Sequence, residues 1–60
     1  MTVIGFRIHI DGVLRSFHDI REVAFGMART LKTRHRHSKV EIVDERTGNA
    51  VEMLEDGRIA

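Results

Sequence analysis

The chain has 60 residues, a formal net charge of +1 at pH 7, no cysteine, no proline and only three aromatic residues, all phenylalanine. Without cysteine it can have neither disulfides nor thiolate metal sites, and no apolar run approaches the ~20 residues that span a bilayer. Residues 1–7 also lack the basic start and long apolar stretch of a secretory leader, so a single soluble domain over residues 1–60, in the cytoplasm, is expected.

A domain this small buries only about 60% of the surface its unfolded chain exposes. The core of such a domain rarely contributes more than about 3–5 kcal/mol net. With staples excluded, homodimerisation is the expected route to further stability.

Charge is segregated along the chain. Residues 1–40 carry eight Lys/Arg against three Asp/Glu, a sum of +5; residues 41–60 carry two against six, a sum of −4. No acidic residue lies between Glu22 and Glu41, a stretch holding Arg29, Lys32, Arg34, Arg36 and Lys39. Such a dipole bears on partners and orientation, not on fold.

In chain order, Val3 to Ile10 alternates, with Ile4, Phe6, Ile8 and Ile10 on one face and Val3, Arg7 and His9 on the other, as a half-buried strand does. Asp11-Gly12 suits the positive φ angles of a tight hairpin turn, and Val13 to Phe17 returns as a second strand. A strict two-residue turn sets Arg15 opposite Ile8 and turns Leu14 outward. A bulge is expected instead, bringing Leu14 inward.

Ile20, Val23, Ala24, Met27, Ala28 and Leu31 recur at helical spacing, with Asp19 and Glu22 spaced as a capping box. Phe25 falls roughly 130° from the centre of that stripe at 100° per residue, which predicts an exposed aromatic between Arg21 and Arg29. Helix is expected to fade between Lys32 and His37. Lys39–Asp44 reads as a third strand, Thr47-Gly48-Asn49 as a turn and Ala50–Leu54 as a fourth strand, with Ile59-Ala60 frayed. The fold class is therefore α+β, in the order ββαββ: a four-stranded antiparallel sheet with one helix packed on one face.

Three kinds of chemistry compete for the surface. The basic helix end and following loop, with Arg21, Arg29, Lys32, Arg34, Arg36 and Lys39, could neutralise phosphates, and Phe25 could stack on a base. Against this, basic helix ends are common and no nucleic-acid-binding motif covers the chain. The same cations could also pair with the acidic hairpin within one molecule.

His35 and His37 form an HxH pair, but Arg34 and Arg36 repel a cation and the four ligands of a structural zinc site are missing; neither metal nor cofactor is expected. Ser16, His18 and Asp19 are neighbours in sequence, which seldom produces catalytic geometry, so no catalytic residues are assigned and no enzyme is expected. The leading expectation is a non-enzymatic interaction or regulatory module, homodimeric, using Phe25, Val3, His9, Leu14 and Val43 on the exposed helix and sheet faces. Self-complementary pairing of the basic pole with the acidic hairpin would suit a symmetric dimer. Another protein as partner, or nucleic acid, is the alternative; a membrane is not.

Overall fold

A computed structural model describes residues 4–60. It contains β1 (Phe6–Ile10), β2 (Val13–His18), α1 (Arg21–Arg34), β3 (Val40–Asp44) and β4 (Ala50–Met53), the ββαββ order expected from the sequence. All pairings are antiparallel, in the order β2-β1-β3-β4, so the two hairpins lie side by side with β1 and β3 at the centre.

The sheet's alternation defines the core. Ile8 and Ile10 from β1, Val40 and Ile42 from β3 and Met53 from β4 point to one face and are buried there beneath Ala24 and Ala28 of α1. The two alanines have no bulk to hold the helix away, so the backbone settles close to the sheet. Truncating a fully buried aliphatic side chain such as Ile8 to alanine costs about 2–5 kcal/mol. That equals most of what such a core contributes, so Ile8→Ala should unfold the domain.

The helix sits differently from its sequence stripe. Its buried residues are Ala24, Ala28 and Lys32. Phe25, expected in solvent, is half-buried against the core and meets Phe6 edge-to-face, with ring centroids 6.2 Å apart. Ile20, Val23 and Met27, expected inside, are exposed. The small alanines face the bulky sheet residues, while the larger side chains fall to either flank: Phe25 towards β3 and β4, Val23 and Met27 towards β2. Asp19 does not cap the helix. The N-cap is Ile20 in extended conformation, with no side-chain cap bond.

Asp11 and Gly12 both have positive φ, 51° and 83°, the signature of a two-residue turn whose twist matches the flanking strands. The turn is tied to the start of β3: the Asp11 amide donates to the Lys39 carbonyl at 2.9 Å, and the Lys39 amide donates to Asp11 Oδ1 at 2.9 Å.

The expected bulge in β2 is present, but one residue beyond Leu14. Val13 lies opposite Ile10, Leu14 opposite His9 and Ser16 opposite Ile8, leaving Arg15 as the extra residue. Leu14 therefore stays on the face away from the helix, because the turn keeps its strict two-residue register and the slip comes only after it.

At the other edge, the chain end folds back on β4. The Glu52 amide donates to the Ala60 carbonyl at 3.0 Å, the Ala60 amide returns a bond to Glu52 at 2.9 Å, and Met53 bridges to Ile59. The expected fraying of Ile59-Ala60 is not what the structure shows, since these bonds hold the segment along the β4 edge.

Candidate functional site

Two surfaces stand out, one apolar and one basic. Val13, Leu14 and Phe17 on β2, Ile20, Val23 and Met27 on the adjoining flank of α1, and Ile4 just before β1 are all exposed. Elsewhere among the described residues, the only exposed large apolar side chain is Ile59.

Leu14 and Phe17 are 54% and 50% exposed, and both project from the face away from the helix. There the Phe17 ring lies over Gly5, so closely that a Cβ on Gly5 would overlap it. Glycine at that place gives the aromatic a flat seat across the strand pair. His9 and Val43 are half-buried on the same face, and Arg7 pairs with Glu45 at its margin.

Of the residues expected to form a partner surface, the fold thus brings His9, Leu14 and Val43 to one sheet face. Phe25 lies on the opposite face, and Val3 is outside the described residues. Phe17 was missed because its direction depends on the bulge. Ile20, Val23 and Met27 were assigned to the core because helical periodicity fixes a stripe but not which edge of it meets the sheet.

The second surface is basic. Arg29, Arg34 and Arg36 are exposed, and none of them takes part in an ion pair among the described residues. Lys39 lies 3.7 Å from Glu41. Among the described residues, Lys39 is therefore the one cation of this basic segment that pairs with the acidic hairpin; the hairpin's other partner is Arg7 of β1, with Glu45. Lys32 faces inward: only 8% exposed, it donates from Nζ to the Ser38 carbonyl at 2.6 Å and closes the loop after the helix.

Asp11 lies beside this segment. Its carboxyl is held below the usual carboxylate range by the Lys39 amide, then by Ser38, with the charges of Lys32 and His35 adding to the effect.

Arg21 belongs to neither surface. Its guanidinium stacks over Phe25, 4.5 Å from the ring centroid, at the mouth of a half-open recess of about 330 Å³. Phe6, Ile42 and Val51 floor the recess, and Asp44, Arg46, Thr47 and Asn49 rim it. An aromatic already covered by its own arginine, with its other side on the core, is not free to stack on a base.

Ser16 and His18 do approach each other, with Oγ 3.2 Å from Nε2, but Asp19 makes no hydrogen bond to that histidine among the described residues. No group of three or more His, Asp or Glu side chains among the described residues is placed to hold a metal ion, and no helix there is long and apolar enough to cross a membrane. Comparison with protein-family models, with curated proteins and with solved structures finds no match.

Proposed function

We propose that the chain is a non-enzymatic interaction module of the cytoplasm that works as a homodimer through its apolar side. The observation that carries this reading is segregation. Seven large apolar side chains (Ile4, Val13, Leu14, Phe17, Ile20, Val23 and Met27) cluster on β2, the residues before β1 and one helix flank, while the opposite flank is occupied by Arg21 and Arg29. Scattered apolar side chains are ordinary on a protein surface; a set gathered about one sheet edge and its helix flank supports an interaction surface. A chain with so small a core also gains most from covering it.

The test is light scattering coupled to size exclusion. The wild type should elute as a dimer, and Leu14→Asp should give a folded monomer, since a half-exposed side chain contributes little to the protomer's own core. A wild type that is monomeric at high micromolar concentration contradicts the proposal.

A second reading has one observation in its favour: among the described residues, Arg29, Arg34 and Arg36 form no ion pair. Binding to nucleic acid through them would fall steeply with salt, because each phosphate contact releases counterions.

A further inference from the structure

The two edges of the sheet are treated differently, and the difference points to one occupant. The outer edge of β4 is bonded by the chain's own end. The outer edge of β2, a strand of six residues, has no neighbouring strand among the described residues.

The backbone groups on that open edge can be identified. The Asp11 amide bonds to Lys39 and the Glu45 amide to Gly5, so the odd-numbered residues of β1 exchange their hydrogen bonds with β3. Antiparallel ladders alternate, which leaves the even-numbered residues of β1 to bond β2. Leu14 lies opposite His9 and Phe17 opposite Arg7. The N–H and C=O of Leu14 and Phe17 therefore point away from β1, to the open edge.

The same two residues carry exposed apolar side chains on the same sheet face, although three positions apart. In a regular strand, residues three apart face opposite ways. The extra residue Arg15 restores the match.

We infer that β2 pairs antiparallel with β2 of a second copy, Leu14 opposite Phe17 of that copy and Phe17 opposite its Leu14. The inference rests on the proposed homodimer and specifies its geometry. In this register both residues exchange edge hydrogen bonds, and each leucine sits beside an aromatic ring, a favourable cross-strand pair. Arg15 lies opposite Ser16 of the second copy, and the two copies of Arg15 flank the axis with exposed side chains that can extend into solvent. Val13 and His18 also match faces.

Sliding the pairing by one residue sets Leu14 opposite Ser16 or His18, on the other face, and loses the match. The two sheets join into one of eight strands, and the Ile20, Val23 and Met27 flanks of the two helices face each other across the seam. A second copy fits where an arbitrary strand does not, because the pattern is complementary to itself, as a two-fold interface requires.

The cysteine-free chain permits a direct test. Across the two-fold axis, the two copies of residue 16 are offset by one strand position and lie about 6 Å apart at Cα, within disulfide range. The two copies of residue 13 are offset by four strand positions, because the bulge absorbs one of the five residues, and lie about 14 Å apart. Ser16→Cys and Val13→Cys are each oxidised under mild conditions, after circular dichroism has established the fold. Arg15→Cys, at the same distance from the axis, replaces Ser16→Cys if that variant does not fold.

The expected result is a covalent dimer from the residue-16 or residue-15 variant at least tenfold faster than from Val13→Cys. Equal rates in a protein that light scattering shows to be dimeric overturn the edge pairing and leave the homodimer standing. A monomer in light scattering overturns both.

Discussion

Replacing Lys32 by methionine tests whether this lysine holds the fold together or serves the basic surface. Its side chain is buried along α1 and its ammonium bonds the Ser38 carbonyl at 2.6 Å, where the chain turns from the helix into β3. Methionine keeps the volume and apolar stem and removes only the donor. A hydrogen bond to a charged group contributes about 1.5–3 kcal/mol. Part of that returns when the cost of burying an ammonium is removed, leaving a net loss of about 1–2 kcal/mol. For a domain of this size each kcal/mol shifts Tm by roughly 4–8 °C, so Tm should fall by about 4–16 °C. Thermal unfolding followed by far-UV circular dichroism, at matched protomer concentration, reads this directly. An unchanged or raised Tm in Lys32→Met would refute the structural role. Any oligonucleotide binding should survive the substitution, because the ammonium does not face solvent.

Other substitutions separate core, turn and surface in the same way. Asp11→Asn keeps an acceptor for the Lys39 amide and tolerates the positive φ, but cannot titrate. Since the folded carboxyl is held below its unfolded value, its contribution is present above about pH 4 and lost as pH falls through the lowered folded value. Wild type should therefore exceed Asp11→Asn in urea stability at pH 7, and the gap should close in acid; a gap independent of pH contradicts this. Gly26→Ala meets open space and should raise helix stability by about 0.5–1 kcal/mol, measured by urea unfolding. Phe25→Ala should lower Tm without altering oligomeric state, in contrast to Leu14→Asp. Arg34→Glu with Arg36→Glu should leave the dimer intact and abolish any salt-sensitive mobility shift with mixed oligonucleotides.

The elements were legible in the sequence because each rests on local chemistry. Alternation from Ile4 to Ile10 fixed the inner face of β1, and Asp11-Gly12 specified its turn. What escaped was long-range. The position of the bulge depends on how β2 meets β1, and nothing within Val13–His18 marks Arg15 as the extra residue. The rotation of α1 depends on the bulk it meets: opposite Ile8, Ile42 and Met53, alanine packs closest, so the stripe turned towards Phe25 and left Val23 and Met27 outside. Lys32 read as one more cation in a basic run because its acceptor, the Ser38 carbonyl, belongs to the backbone. Part of the candidate surface was legible on the sheet, in His9, Leu14 and Val43. The helix faces were not legible: Phe25, expected in solvent, packs against the core, and Ile20, Val23 and Met27, expected inside, are exposed.

Amide hydrogen exchange at Leu14 and Phe17, measured by NMR over a range of protein concentrations, tests the dimer at its seam. Both amides lie on the open edge of a single protomer, so protection there must come from another chain. If two copies join through β2, both should be slow to exchange at high concentration and lose protection together on dilution, while Ile8 and Ile42 stay protected. Fast exchange at Leu14 and Phe17 at every concentration, in a folded protein, would contradict it.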